Sequence, residues 1–188
     1  MGQTSLTCAV GNRLLLSFLL LAAVLTIPDY AFSDEKDLYF ELGIGGGENL
    51  NGLGTRQILF APGLNMKISG VNMLRFRVEA NTEFVYDHGQ LTVIGGITPF
   101  LRFIIPSDKI RPFLEIGGGP NLSNRDDTGG RILGGRFFIS AMAGGGIEFV
   151  TKDILVSLSY RARHLSNANL YSYNQGLNSH YLILAFGF

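Results

Sequence analysis

The stretch Leu74-Arg-Phe-Arg-Val-Glu-Ala-Asn-Thr-Glu-Phe84 alternates apolar and polar side chains over most of its length. Successive side chains of a β-strand point to opposite faces, so this alternation predicts a strand with one apolar and one ionic face. The apolar face carries Leu74, Phe76, Val78, Ala80 and Phe84, and the polar face carries Arg75, Arg77, Glu79, Asn81 and Glu83. A soluble sheet would turn the apolar face inward, whereas a membrane barrel turns it outward toward lipid.

Seven further segments show the same period of two, and no window after Asp34 sustains the period of 3.6 that a helix requires. The eight segments are 37–47, 56–67, 72–86, 90–105, 110–122, 135–149, 153–164 and 178–188. Short turns follow the second, fourth and sixth segments, and longer connectors follow the first, fifth and seventh. An even strand number with this arrangement of turns is typical of an outer-membrane barrel. We therefore predict an all-β, eight-stranded antiparallel transmembrane β-barrel in residues 34–188.

The composition also favours a membrane protein. Hydrophobic residues make up 46% of the 188 residues and charged residues 16%, against about a quarter charged in an ordinary soluble domain. The 15 basic and 15 acidic residues cancel to a formal net charge of zero. Because a neutral chain has no broad basic field for a nucleic-acid backbone, we expect no nucleic-acid partner. The 25 glycines argue against ordinary helices.

The first 33 residues have the features of an export signal. Arg13 precedes an apolar run at 14–27, which is shorter than the about 20 residues of a comfortable spanning helix. A helix-breaking proline and the small-residue site Ala31-Phe32-Ser33 follow, so we predict a secretory signal peptide, residues 1–33, removed before Asp34. A membrane anchor is the alternative. Cys8, the single cysteine, lies in the part that would be removed, so the mature chain would have no disulfide.

Glycine triplets at 45–47, 117–119 and 144–146 lack a strand-to-helix context and a phosphate-loop lysine, so they support a nucleotide site only weakly. We assign them to relief of crowding and to strand curvature in a narrow barrel. The ionic strand faces should fill the lumen with paired opposite charges, which disfavours a pore. The charged residues that we place inside are Arg75, Arg77, Glu79, Glu83, Arg102, Glu115, Arg136 and Glu148.

The chain ends in an alternating strand, Tyr181-Leu-Ile-Leu-Ala-Phe-Gly-Phe188, with an aromatic residue at its last position. A terminal aromatic residue on such a strand resembles the signal that barrel-assembly machinery reads in outer-membrane proteins. We therefore expect that machinery, together with the lipids of the outer membrane, among the partners of this chain.

Polar residues interrupt the apolar face where the seventh and eighth segments meet. His164 and Ser166 continue the apolar row of the seventh segment, and Asn178 and His180 continue that of the eighth. Antiparallel neighbours joined by one loop bring these ends together, so the four side chains should lie close on the outer wall at the loop-side rim. One interpretation is an interfacial location, where such residues are tolerated. The other is a nucleophile–base pair that faces lipid and reaches an ester in a lipid.

In this region the sequence resembles a known family. Arg163-His164-Leu165-Ser166-Asn167-Ala168, followed by Asn174-Gln175-Gly176-Leu177-Asn178 and a short terminal strand, is similar to the lipid A 3-O-deacylase (PagL) family, also called acyloxyacyl hydrolases. The resemblance implies an esterase of the Gram-negative outer membrane that removes the 3-O-linked acyl chain from lipid A of lipopolysaccharide. It implies no metal and no cofactor for the hydrolysis.

The resemblance also implies roles for individual residues. Ser166 would be the nucleophile, His164 the general base, and the backbone N–H of Asn167 a donor to the oxyanion. The acid of the triad in the best-known members is a Glu fourteen residues after the His, and here that position is Asn178, which can orient His164 but carries no charge. The family often has Gly two residues after the oxyanion Asn, where this chain has Asn169, a residue that we assign to support of the loop.

Other functions stay open at this point. A non-catalytic structural or adhesive barrel is the alternative to the esterase, and Asn178 is its main argument. His88 is expected to be a solvated turn residue, and His180 a rim residue rather than a catalytic one. Tyr171 and Tyr173 of the last loop are expected at the membrane interface, near the lipid headgroups.

Overall fold

The computed structural model of the protein describes residues 38–50, 54–128, 131–151 and 154–188. The predicted signal peptide, residues 1–33, lies outside these ranges and stays a prediction. The described residues form no helix long and apolar enough to cross a membrane.

The described residues form ten β-strands, of which eight close into one antiparallel barrel. Around the barrel the order of neighbours is β1-β10-β9-β8-β5-β4-β3-β2, and β6 and β7 form a separate small hairpin. The bounds of the strands are β1 Leu38–Asn49, β2 Arg56–Lys67, β3 Leu74–Asp87, β4 Gln90–Ile104, β5 Ile110–Ser123, β6 Asp127–Thr128, β7 Arg131–Ile132, β8 Phe137–Val150, β9 Leu155–Ser166 and β10 Leu177–Gly187.

The eight predicted segments correspond to the eight barrel strands, which confirms the predicted fold class. The seventh strand, β9, is as long as the predicted segment 153–164 but lies two residues later, from Leu155 to Ser166. The hairpin β6–β7 was not predicted, since two strands of two residues each are too short for alternation to be visible. This hairpin lies in the long connector between β5 and β8, at the same end of the barrel as the connector between β9 and β10.

The two faces of the strands are oriented as predicted. On β3, Arg75 and Arg77 are each 2% exposed, whereas Phe76 between them is 38% exposed. The same alternation places large apolar side chains on the outer wall of every barrel strand, where lipid covers them in a membrane. Examples with more than half of their surface exposed are Ile97, Leu114, Ile116, Leu122 and Leu182.

Ion pairs fill the middle of the barrel. Arg102 lies 2.8 Å from Glu115, 2.9 Å from Glu148 and 3.2 Å from Glu41. Arg161 in turn bridges Glu115 and Glu79, at 2.8 Å and 2.9 Å. Buried charges are tolerated only when they are paired in this way, so the network explains why one strand face can be ionic.

The placement of Arg136 inside the barrel was wrong. Its side chain is exposed and it precedes β8, which begins at Phe137. Alternation fixes the direction of a side chain only inside a strand, and Arg136 belongs to the connector. The other seven charged residues predicted inside are buried there: Arg75, Arg77, Glu79, Glu83, Arg102, Glu115 and Glu148.

Candidate active site

The predicted polar cluster forms at the loop-side ends of β9 and β10. His164 and Asn178 are Cα partners in the register of these two strands, and Ser166 is the last residue of β9, opposite Ile139 of β8. All three side chains lie on the outward-facing side of their strands, as the apolar side chains of the outer wall do. His164 is exposed, and Ser166 and Asn178 are half-buried. The structure therefore brings His164, Ser166 and Asn178 together on the outer surface at the rim.

The imidazole of His164 is held by Asn178. Its Nδ1 lies 2.7 Å from the amide oxygen Oδ1 of Asn178. Because an amide oxygen only accepts, Nδ1 carries the hydrogen and donates it, which leaves Nε2 with a free lone pair. On the other side, Gly176 faces the ring, since a Cβ at that position would lie 3.2 Å from Cε1 of His164. This tautomer is the one that a general base needs.

Ser166 follows His164 by two residues on the same face of β9, so the two positions are separated by about 6.7 Å along the strand. Within the described ranges, no hydrogen bond joins its hydroxyl to His164. Catalytic hydrogen bonds are often long before a substrate is bound and tighten in the complex, so this geometry is compatible with a nucleophile–base pair.

A tight turn follows Ser166. The N–H of Leu170 donates to the carbonyl of Asn167 at 2.9 Å, and the two central residues, Ala168 and Asn169, have φ of 51° and 64°. Two successive left-handed residues define a turn of the type I′ class, in which Gly and Asn are the residues of choice. Asn169 therefore fits a position where the family often has Gly, because its own φ lies in the region that Asn tolerates.

Asn167 is fully buried and holds the loop together. Its side-chain amide donates to the carbonyl oxygens of Leu133, at 2.7 Å, and of Tyr173. Its backbone N–H, the predicted oxyanion donor, donates to Oδ1 of Asn174 at 3.1 Å. Sequence reasoning missed both Asn174 and Leu133 as partners, since contacts between loops leave no periodic signal.

The remaining predicted positions lie around this cluster. His180 contacts Glu48 of β1, with 3.4 Å between Nε2 and Oε1, and its ring centroid lies 5.9 Å from that of Tyr160. His88 is exposed in the turn between β3 and β4, with φ of 44°. Tyr171 and Tyr173 are exposed in the loop. In the described part of the chain, no Asp or Glu side chain hydrogen-bonds to His164, and no group of three or more His, Cys, Asp or Glu side chains is arranged to hold a metal ion.

A closed eight-stranded barrel with an apolar outer wall and a paired ionic interior defines an integral protein of the Gram-negative outer membrane. Comparison with known families assigns it further. The sequence pattern of the family described as Lipid A 3-O-deacylase (PagL) matches residues 63–186, more than half of the chain, and the chain belongs to this family.

Solved structures agree with the barrel. The crystal structure of the outer-membrane enzyme PagL is similar with a TM-score of 0.61 and 21% identity, over 77% of this chain and 97% of that one. The crystal structure of Neisserial surface protein A (NspA) is similar with a TM-score of 0.57 and 15% identity, over 80% of this chain and 94% of that one. No curated protein sequence matches the chain significantly. At these identities the structural likeness shows the fold alone.

Proposed function

We propose that the protein is a serine esterase that hydrolyses the 3-O-linked acyl chain of lipid A in lipopolysaccharide, as its family membership suggests. The observation that supports this best is the hydrogen bond from Nδ1 of His164 to Oδ1 of Asn178, 2.7 Å long, on the outer wall beside Ser166. It leaves Nε2 as the proton acceptor on the face that carries the serine hydroxyl. The position at the rim favours an ester carried by a membrane lipid.

In the proposed mechanism, Nε2 of His164 removes the proton of the Ser166 hydroxyl as Oγ attacks the ester carbonyl carbon. The carbonyl oxygen becomes an oxyanion and accepts a hydrogen bond from the N–H of Asn167, which would exchange its present partner, Oδ1 of Asn174. The ester C–O bond then breaks, the sugar oxygen takes the proton from His164, and the acyl group stays on Ser166. A water molecule, deprotonated by His164, releases the hydroxy fatty acid and restores the serine.

Asn178 limits the rate of this proposed mechanism. Its amide oxygen orients the imidazole, but a neutral amide stabilises the imidazolium that forms during attack less than a carboxylate would. The proposed enzyme is therefore slower than a Ser-His-Glu counterpart. This replacement is also the observation that favours the second candidate, a structural or adhesive barrel without catalysis.

The remaining parts of the proposal concern the route to the membrane. We infer that residues 1–33 are a signal peptide removed on export and that the terminal strand, ending at Phe188, is read by the barrel-assembly machinery. Mass spectrometry of the purified mature chain tests the first part, because cleavage predicts Asp34 as the N-terminus.

Mass spectrometry of lipid A tests the reaction. Refolded wild type should remove one 3-O-linked hydroxyacyl group, and Ser166→Ala should remove none. Ser172→Ala is the matched control, since Ser172 is an exposed serine of the same loop. Loss of the acyl group with Ser166→Ala would contradict the serine mechanism. No loss with folded wild type would favour the non-catalytic barrel.

A further inference from the structure

The connector between β5 and β8 contacts the candidate catalytic loop through three consecutive residues, Arg131, Ile132 and Leu133, which we call the clamp segment. One of the guanidinium nitrogens of Arg131 donates to the carbonyl oxygens of Gln175, at 2.7 Å, and Gly176, at 3.3 Å. The N–H of Ile132 donates to Oε1 of Gln175 at 2.8 Å. The clamp segment thus binds the residues that immediately precede Leu177 and Asn178.

The clamp segment is itself anchored to the barrel. Leu133 is 1% exposed and belongs to a buried apolar cluster with Val85, Ile94, Phe138, Leu165 and Leu177. Its carbonyl oxygen accepts the hydrogen bond from the buried side chain of Asn167. The packing of Leu133 and its hydrogen bond with Asn167 hold the clamp segment in place, so the backbone that carries Arg131 is fixed.

The residues that Arg131 holds border the imidazole of His164. Gly176 faces its Cε1–Nε2 edge, and Asn178, two residues later, accepts the hydrogen bond from its Nδ1. A shift of the backbone at Gln175 and Gly176 would therefore move both neighbours of the ring together. Misplacement of a catalytic group by about 1 Å can lower a rate by about a hundredfold.

We propose that Arg131 is a positioning residue, which fixes residues 175–178 against His164 by binding the carbonyl oxygens of Gln175 and Gly176. The effect of Arg131 on catalysis rests on the proposed esterase function. The effect of Arg131 on structure concerns only the geometry of the His164–Asn178 pair. The guanidinium is directed at the protein, so its removal should change kcat rather than the affinity for the substrate.

The experiment compares Arg131→Met with Arg131→Lys in the full chain, purified in detergent, with lipid A as the substrate. Arg131→Met should lower kcat about tenfold and leave KM within about twofold of wild type. Arg131→Lys should recover part of the rate, because an ammonium group can still donate to one of the carbonyl oxygens. Arg125→Met is the matched control, since Arg125 lies in the same connector and pairs with Asp127 at 2.9 Å. It should leave kcat unchanged.

Histidine NMR gives a readout that does not need activity. The chain has three histidines, so ¹⁵N-histidine labelling resolves His164 from His88 and His180. Arg131→Met should shift or broaden the ring signals of His164 and leave those of His88 unchanged. If wild type hydrolyses no lipid A but these signals respond, the positioning role stands and the esterase proposal fails.

A second variant, Gly134→Ala, tests the same contact between the loops in case Arg131→Met fails to fold. At Gly134, φ is 82° and a Cβ would overlap the carbonyl oxygen of Tyr173, so Gly134→Ala should separate the two loops. Gly89→Ala is its matched control, because φ there is 80° and a Cβ would meet nothing within 4 Å. Gly134→Ala should lower kcat and move the His164 signals, and Gly89→Ala should do neither.

Three outcomes would overturn the proposal. A higher KM with unchanged kcat in Arg131→Met would place Arg131 on the substrate instead. Unchanged kcat and unchanged His164 signals would show that the contact positions nothing. Loss of the heat-dependent gel shift of the folded barrel in both Arg131→Met and Gly134→Ala would make the clamp segment a requirement for folding.

Discussion

Leu165 of β9 and Leu177 of β10 are Cα partners whose side chains point into the barrel, each 1% exposed. Leu165 directly follows His164, and Leu177 directly precedes Asn178, so the apolar pair lies behind the hydrogen-bonded pair on the opposite face of the same two strands. Packing inside the barrel therefore fixes the backbone that presents the candidate site outside.

Leu165→Ala should weaken both the barrel and the site. Removal of a fully buried leucine leaves a cavity and costs about 3 kcal/mol of the free energy of unfolding. The backbone of His164 would lose its support, so kcat should fall as well. Urea unfolding followed by far-UV circular dichroism measures the first effect, since the chain has no Trp for fluorescence.

Leu182→Ala is the control for that prediction, because Leu182 is 59% exposed on the lipid-facing wall of β10. It should change the free energy of unfolding by less than half as much and leave kcat unchanged. Equal effects of the two variants would mean that the interior cluster does not support the site.

Asn178→Glu should increase the rate. A carboxylate at this position would accept the same hydrogen bond from Nδ1 of His164 and would also stabilise the imidazolium, so we expect kcat to rise at least about tenfold with little change in KM. Asn178→Leu, which has no acceptor, should lower kcat below that of wild type. Steady-state kinetics on lipid A measure both, and a lower kcat for Asn178→Glu would contradict the role of His164 as the base.

The strands and their faces could be predicted because the side-chain period of a strand is two, and a shift of one residue would turn every apolar side chain to the wrong face. The stretch 74–84 indicated one ionic strand face, which in the structure points into the barrel, where Arg75 lies 3.9 Å from Glu148 and Arg77 lies 2.9 Å from Glu79. The same rule predicted that His164 lies next to Asn178, and the two are Cα partners in the structure. It failed at Arg136, which lies one residue before β8 begins and is therefore not subject to alternation.

The loops could not be predicted in this way. The hydrogen bond of Asn167 to Leu133 joins residues 34 positions apart, and that of Arg131 to Gln175 joins residues 44 apart. Such contacts depend on how two irregular connectors fold over the barrel mouth, and irregular backbone has no period to read. The sequence around Gly134 does not indicate that this position requires a glycine. The structure shows the reason, since a Cβ at this position would overlap the carbonyl oxygen of Tyr173.

The ion network inside the barrel gives the last prediction. Arg102→Met would leave Glu41, Glu115 and Glu148 without the guanidinium that lies within 3.2 Å of each of them. Removal of one partner of a buried pair leaves uncompensated charge, so the free energy of unfolding should fall by about 3–5 kcal/mol. Arg125→Met breaks a pair whose side chains are 35% and 47% exposed, and should cost less than about 1 kcal/mol.

Urea unfolding of both variants in lipid vesicles measures this contrast. Adding Glu115→Gln to Arg102→Met should restore part of the lost stability, because it removes one of the three negative charges that have lost the Arg102 guanidinium. No recovery in the double variant would mean that Arg102 stabilises the barrel by packing, for instance over the ring of Phe113, whose centroid lies 4.2 Å from the guanidinium carbon. In that case the charges of the lumen would contribute little, and Arg102→Leu should be no more destabilising than Arg102→Lys.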